Sequence, residues 1–339
     1  MKFLRIPIEN AVGAISAHNL YHPQGKRILA KGDTIAPQHL DTLREAGHET
    51  VFVAQLEPGD LHEDEAAARL ATLLKGDRLY FKRPATGRAN LRAECPGVLR
   101  VNVDALLQIN AIGHGISLAT LVQHSFVQKD QLVATVKIIR FGLEQHALGD
   151  IENRLAAGAP ALQIEPLKLQ RIGLIVSSNH PDHDSIARRF RPGLEYRARV
   201  YHFTLAEPKY CRHEPDDIAA AIRAQKAAGM QCVFIVGMSA IIDPEDVVPQ
   251  AVKQAGADNV HYGFPVDPGN LTLLAYVDDM PIVGIPGCAR SKRRNAIDLI
   301  LPRVLTGERI GREAILELGH GGLLEEIKAR PLPRDAIDR

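Results

Sequence analysis

With 339 residues the chain is too long for one average domain and comfortable as two or three. Its 41 lysines and arginines against 40 aspartates and glutamates leave a formal net charge of +1, which excludes a strongly basic nucleic-acid binder as the starting reading and makes any anion site a local feature. Tryptophan is absent and aromatic residues make up 5% of the chain, so stacking platforms for single-stranded nucleic acid are scarce.

The opening MKFLRIPIENAVGAISAH carries Glu9 where a secretory signal would be apolar, and no run of about 18 apolar residues follows, so a cytoplasmic protein without a membrane span is expected. The stretches LRIPI and AVGAISAH and the turn-rich HPQGKRILAKGD predict a small β-rich element. Leu40, Leu43 and Ala46 predict a helix over Pro37 to Ala46, stopped by Gly47, before a strand at Val51 to Ala54. An amphipathic helix ending at Gly76 follows; Glu63, Asp64 and Glu65 suit its positive N-terminus better than they suit a metal.

From Asp77 the pattern changes to short strands and turns: the loop RPATGRANL, a strand VLRVNV, a helix over Asp104 to Asn110 and the β-rich QLVATVKIIRF. Lys137 inside that last run reads as an edge-strand gatekeeper or as an anion contact, and composition favours the gatekeeper. Residues 143–166 predict a helix followed by a connector.

The third segment alternates strands and helices, which predicts a parallel sheet with right-handed crossovers. Its strands are expected at RIGLIVSS (Arg171 to Ser178), RARVYHFTL and QCVFIVG (Gln231 to Gly237). Helices are expected at PDDIAAAIRAQKAAG and PEDVVPQAVKQAGA, a hairpin around Asp278 and Asp279, and a closing helix over SKRRNAIDLILPRVLTG. The implied organisation is an α+β module at 1–76, a β-rich module with connector at 77–165, an α/β domain at 166–310 and a tail at 311–339. The fold class is therefore α/β: a C-terminal three-layer, doubly wound, mostly parallel sheet preceded by small α+β and β-rich modules.

In such a sheet ligands bind beyond the carboxyl ends of the strands. Ser177, Ser178 and Asn179 follow the first strand as small polar groups able to donate to a ligand. After the third come Gly237, where a ligand can approach backbone, the Ser239 hydroxyl, and Asp243 and Asp246 near a helix start. Asp243 reads equally as an N-cap before Pro244.

PVDPGN (Pro265 to Asn270) pairs a rigid proline with a flexible glycine. GIPGCARSKRRN brings Gly287 and backbone amides together with Arg290, Ser291, Lys292 and Arg293 at an expected helix start, either a phosphate-binding site or a solvated basic turn. It is neither a P-loop nor a dinucleotide fingerprint. Cys288 there is either a small buried residue or a thiol with a lowered pKa. The four cysteines form no C-x-x-C pair, so reduced thiols are expected. His180, Asp182, His183 and Asp184 could bind a metal but read first as a solvated polar loop.

At these motifs the segment from about Arg171 to Gly307 resembles the molybdopterin-binding domain shared by molybdopterin adenylyltransferases and molybdenum insertases (molybdopterin molybdotransferases). VFIVGMSAIIDPED stands in place of a glycine-rich strand-to-loop motif with a downstream aspartate, PVDPGN in place of a Pro-Gly-Lys-Pro loop, and IVGIPGCARS in place of G-L-P-G-N-P-x-S. With TGRANL (Thr86 to Leu91) and VATVKII (Val133 to Ile139) the likeness is closer to bacterial molybdopterin-binding proteins associated with a molybdenum-cofactor nucleotidyltransferase, and it spans most of the chain.

The resemblance implies molybdopterin or its nucleotide form as ligand, with molybdate and Mg2+ as accompanying ions. Ser177, Ser178, Gly237, Ser239 and Asp246 would line the pterin-phosphate pocket. Asp267, Pro268, Gly269, Asn270, Pro286, Gly287, Cys288, Arg290, Ser291 and Lys292 would hold phosphate or molybdate. Asp246, or Asp243, would take the catalytic role and Asp246 the metal. Val236 replaces the first family glycine, and the family lysine is missing around Asp267 and Asn270, which weakens transfer chemistry more than cofactor binding.

The leading expectation is a transferase-like protein of molybdenum-cofactor biosynthesis that binds molybdopterin and assists molybdate insertion. Two alternatives are a non-catalytic carrier delivering to a nucleotidyltransferase and a metal-dependent phosphate-ester hydrolase on the same fold. A homodimer is expected, with Thr86, Arg88 and Lys137 of the N-terminal segments reaching the ligand.

Overall fold

The computed structural model describes residues 1–112, 115–155 and 160–324, and the chain divides into two compact units, Met1–Pro166 and Leu167–Arg339. In the first unit, β1 (Lys2–Pro7), β2 (Ile15–Ser16), β3 (Leu20–Tyr21), β4 (Arg27–Leu29), α1 (His39–Glu45) and β5 (Thr50–Gln55) enclose a small core of Ile8, Leu20, Leu29, Ile35, Leu43 and Val53. β5 lies between β1 and β2, antiparallel to both, and β3 and β4 form a hairpin at the turn-rich stretch.

The rest of the unit comprises β6 (Asp60–His62), α2 (Glu63–Leu74), β7 (Leu79–Phe81), β8 (Arg88–Ala93), β9 (Gly97–Val101), α3 (Val103–Ala111), β10 (Ile116–Thr120), β11 (Phe126–Val127), β12 (Leu132–Ile138), β13 (Gly142–Glu144), α4 (Gln145–Leu155) and β14 (Leu162–Pro166). An antiparallel sheet runs β10-β12-β8-β7. Ala89, Leu91 and Ala93 of β8 face inward onto Ala67, Leu70 and Leu74 of α2, while Arg88, Asn90 and Arg92 alternate outward. Because α2 belongs to this second core, the packing does not divide at residue 76.

Two expectations are corrected here. β12 lies between β10 and β8, so Lys137 guards no sheet edge; its ammonium donates to the Thr86 carbonyl and stands 3.7 Å from the Glu63 carboxylate. Burial pushes the Glu63 carboxyl up, against the opposing charge of Lys137. The supposed connector before Pro166 is β14, paired antiparallel with β9 from Leu162↔Val101 to Pro166↔Gly97.

The second unit contains β15 (Arg171–Ser177), α5 (Asp184–Val200), β16 (Thr204–Cys211), α6 (Pro215–Ala227), β17 (Cys232–Gly237), α7 (Val247–Gln254), β18 (Asp258–Tyr262), β19 (Leu273–Val277), β20 (Met280–Gly284), α8 (Ala296–Leu305) and α9 (Arg312–Leu316). Its six-stranded sheet has the order β16-β15-β17-β20-β19-β18. The pairings from β16 through β20 are parallel, and those made by β19 with β20 and β18 are antiparallel, so the sheet is mostly parallel, as expected, with an antiparallel edge.

Ile175, Val233, Ile235, Ala275 and Ile282 pack with Ile218 and Ile222 of α6 and Val248 and Val252 of α7. The intervening Leu174, Val176, Phe234, Val236, Leu274 and Val283 are also buried and by alternation face the other way, where Phe203 meets Phe234 edge-on. Burial on both faces is why these strands read as continuous apolar runs.

RARVYHFTL is not one strand. Arg197 to Val200 complete α5, and β16 starts at Thr204. The α5 face is set by Ile186, Phe190 and Leu194, spaced four apart, and Pro192 sits inside the helix. The closing helix also starts later than Ser291, at Ala296. No described helix is long and apolar enough to cross a membrane.

Candidate functional site

β15, β17 and β20 run parallel, so the loops after them open along one edge of the sheet. After β15, Ser177 and Ser178 are fully buried and their hydroxyls are engaged inside the fold. Ser177 Oγ lies 2.9 Å from His213 Nδ1, and Ser178 Oγ accepts from the His180 amide at 3.0 Å. The Asn179 side-chain Oδ1 accepts from the His213 amide at 2.9 Å.

His213 follows β16, and sequence reasoning had passed it over. Burial holds its imidazole below the ordinary range, opposed by the charges of Asp246 and Glu214. Gly237 ends β17 against this ring: a Cβ there would stand 3.2 Å from His213 Cε1. Ser177, His213 and Gly237, from three adjacent strands, thus form the floor of the edge.

Beyond Gly237 the loop rises into solvent, with Ser239 and Asp243 exposed. Asp246, not Asp243, caps α7: Oδ1 accepts from the Val247 amide at 2.7 Å and Oδ2 from the Ile242 amide at 3.1 Å. Asp243 closes the preceding turn by accepting from the Glu245 amide at 2.8 Å. A cleft of about 510 Å³ is lined by Ser239, Ala240, Ile242, Asp243, Glu245 and Asp246. Its charge is acidic.

Among the described residues no group of three or more His, Cys, Asp or Glu side chains is placed to hold a metal ion. The His and Asp cluster after Ser178 instead organises the start of α5. His180 Nδ1 accepts from the Asp182 amide, Asp182 accepts from the Ser185 amide and pairs with Arg188, and Asp184 accepts from the Tyr210 hydroxyl.

The PVDPGN loop is seated on the start of α8. Its Asp267–Pro268 peptide is cis, Pro268 accepts from the Ala296 amide at 3.0 Å, and Gly269 accepts from Thr272 Oγ1 at 2.6 Å. Gly269 has φ +126, and a Cβ on it would lie 2.6 Å from the Ala296 nitrogen, so both backbone and space demand glycine. Residues 322–324 hold the loop from outside: the Asp267 amide donates to the Gly322 carbonyl at 2.8 Å, and the Leu324 amide to the Asp267 carbonyl at 2.9 Å. Asn270 is exposed.

After β20, the buried Pro286 leads into a single 3-10 turn over Gly287–Arg290. The expected helix N-terminus at this turn is displaced, and the protein caps it itself. Asn295 Oδ1 accepts from the Ile297 amide at 3.0 Å, and Asp298 Oδ2 from the Asn295 amide at 2.9 Å, a capping box that satisfies the orphan amides of α8.

The cations of the loop are laid on α5 aromatics: the Arg290 guanidinium is 4.8 Å from the Phe190 ring centre and the Lys292 ammonium 5.9 Å from that of Tyr196. Gly287, Arg290, Ser291 and Lys292 are exposed, while Cys288 is half-buried. Burial pushes the Cys288 thiol up, which favours the small buried residue over the activated thiol: desolvation outweighs the help of the nearby Arg197 charge.

The scaffold of this loop is Arg197, completely buried on α5. Its guanidinium grips Asp298 through Nε at 3.0 Å and a terminal nitrogen at 2.7 Å. It also donates to the carbonyls of Gly193, Ala289, Ser291 and Arg293 at 3.0–3.2 Å. Asp298 further accepts from the Tyr201 hydroxyl at 3.0 Å. Sequence reasoning found neither Arg197 nor Asp298; the spacing N-A-I-D at 295–298, a cap followed three residues later by an acid, was the available signal.

Residues 5–55, essentially β1 to β5, match a family described as Domain of unknown function (DUF8806). No curated protein matches the chain. Among solved structures, the chain is similar to the crystal structure of Molybdenum cofactor biosynthesis protein B at 15% identity and TM-score 0.32, over 41% of this chain and 94% of that one. It is similar to the protein CinA with unknown function from Thermoplasma acidophilum at 13% identity and TM-score 0.28, over 36% of this chain and 90% of that one. A third likeness is to a molybdenum cofactor biosynthesis protein from Pyrococcus furiosus, at 11% identity and TM-score 0.26, over 90% of this chain and 64% of that one.

Proposed function

We propose that the C-terminal unit, read as a three-layer doubly wound domain, binds molybdopterin or its nucleotide form and serves molybdenum-cofactor biosynthesis. What supports this reading is the meeting of its two most diagnostic loops. PVDPGN rests on the first residue of α8 through the Pro268 carbonyl and Gly269, and PGCARSK, 16 positions on from Asn270 to Pro286, runs toward the same helix and is tied to it by Arg197, which donates to the Ala289 and Ser291 carbonyls and grips Asp298. Exposed Arg290 and Lys292, with the backbone of Gly287, give that edge the donors a dianionic phosphate requires.

The residues fit a phosphate better than a resident metal. Both oxygens of Asp246 are engaged by backbone amides, so a metal there would have to displace them. That observation favours the carrier reading, binding the cofactor and delivering it to a nucleotidyltransferase, over molybdate insertion at this chain. Both readings place the protein in the cytoplasm, as a homodimer.

The test is to purify the full chain from a host that makes molybdopterin, denature it, oxidise any released pterin and measure the fluorescent derivative. The wild type retains pterin and Arg290→Ala loses most of it. Absence of pterin from folded wild-type protein in a competent host overturns the reading, and molybdate-dependent turnover by the loaded protein would replace the carrier with a transferase.

A further inference from the structure

We propose that the N-terminal unit carries a second anion site, for a small molecule bearing two phosphoryl groups, on the open face of the β10-β12-β8-β7 sheet. A pocket of about 480 Å³ there is lined by Tyr80, Lys82, Arg83, Arg88, Asn90, Arg92 and Asp130. Four cations face one carboxylate. That carboxylate is committed, since Asp130 Oδ1 accepts from the Tyr80 hydroxyl at 2.7 Å, and the Arg92 guanidinium bonds the Asp130 carbonyl instead, at 2.8 Å. Among the described residues neither Lys82 nor Arg83 has an ion-pair partner, and Arg88 donates only through Nε, to Asn90 at 3.2 Å.

The strand pattern explains how the charges come together. Arg88, Asn90 and Arg92 are alternate residues of β8, with Ala89, Leu91 and Ala93 buried beneath, so the three side chains must share the solvent face. Tyr80 of β7 is opposite Arg92, and Lys82 and Arg83 continue from the end of β7.

Asn90 is fixed in the middle. Its Oδ1 accepts from both Thr135 Oγ1, at 2.9 Å, and Arg88, which leaves the two hydrogens of Nδ2 as donors toward the pocket. A cluster of unneutralised cations around a pre-oriented amide is what phosphoryl oxygens require.

Size and spacing select the ligand. Four residues along an antiparallel strand span about 13 Å, so Arg88 and Arg92 reach inward from opposite ends, and a single phosphate would engage only one of them. The volume suits a small molecule of nucleoside-diphosphate size. A nucleic-acid strand is disfavoured because the basic feature is confined to four cations and the chain as a whole has net charge +1.

The experiment titrates the full-length Arg290→Ala protein calorimetrically with inorganic pyrophosphate, then with inorganic phosphate and a 12-nucleotide single strand. Using that background separates this site from the loops of the C-terminal unit and from the pterin reading. Pyrophosphate is expected to bind at least ~10-fold more tightly than phosphate. Arg88→Gln with Arg92→Gln, and independently the exposed pair Lys82→Gln with Arg83→Gln, should each weaken it by at least ~10-fold in protein with an unchanged circular-dichroism spectrum. Pyrophosphate binding that survives both double variants, or no pyrophosphate binding, overturns the proposal. Tighter binding of the oligonucleotide, lost in the same variants, overturns it in favour of a nucleic-acid surface.

Discussion

Replacing Arg197 by methionine removes a guanidinium of zero exposure and keeps much of its stem volume. Among the described residues Asp298, with a tenth of its side chain exposed, then retains the Tyr201 hydroxyl and the Asn295 amide as donors, and the carbonyls of Gly193, Ala289, Ser291 and Arg293 lose the guanidinium, though that of Arg293 keeps Asn295 Nδ2. Breaking a buried, hydrogen-bonded ion pair from one side costs about 3–5 kcal/mol, because the surviving charge stays desolvated.

Amides of α5 and α8 that exchange only through opening of this unit should therefore lose roughly 150- to 5,000-fold protection, read by hydrogen-exchange mass spectrometry of peptides covering 184–200 and 287–305. A cycle with Asp298→Asn separates the pair from the rest: the double variant should lose less than the sum of the singles, by about 2–3 kcal/mol. A loss below about 1 kcal/mol in Arg197→Met, or strict additivity, would show that the loop stands without the pair and refute the reasoning.

Gly269→Ala should destabilise the protein by about 1–3 kcal/mol in urea unfolding from its positive φ and by more from the Ala296 contact. Gly256→Ala is the control, with φ +89 but nothing within 4 Å; equal losses in the two would show that the contact is immaterial. For His213, the folded-state pKa lies below the ordinary 6.5, so the unfolded chain binds the extra proton first. Stability is complete above about 6.5 and falls as the pH is lowered from there toward the folded-state value, so His213→Asn should flatten the decline in urea midpoint between pH 7.5 and 5.5. An unchanged slope would remove His213 from that account. Cys288, its thiol pushed up by burial, should be alkylated by iodoacetamide at pH 7.5 at least ~10-fold more slowly than glutathione, followed by mass spectrometry. Faster labelling would restore the activated thiol.

The elements legible in the sequence were those whose own residues carry the signal. β15, β17 and α6 announce themselves by apolar runs or helical spacing, and the β19–β20 hairpin by its Asp278–Asp279 turn between two such runs. α5 was hidden because Pro192 and Gly193 argue against a helix and Val200, Tyr201 and Phe203 argue for a strand. Gly193 is there for tertiary reasons: a Cβ on it would collide with the Ala289 carbonyl oxygen, a constraint invisible along the chain.

The site was legible in its loops and not in its support. PVDPGN and PGCARSK are unusual enough to be noticed, whereas His213 and the pair of Arg197 with Asp298 take their role in the site from partners 34 to 101 residues away. The error over α8 was one of register. The basic run SKRRN suggested a helix start, but the cap that defines the start is Asn295, its last residue.

The clamp of residues 322–324 on Asp267 has a consequence for preorganisation. The PVDPGN loop is held in shape on one side by α8 and on the other by a short segment beyond α9 that contributes no proposed ligand contact. A protease cut or a bulky insertion between Leu316 and Leu323 would leave every site side chain intact while freeing the loop, and the ligand would then have to order it on arrival. Affinity would therefore respond to the integrity of a strand of chain remote in sequence from the loop, and a change there would look, in a binding assay, like a mutation in the site itself.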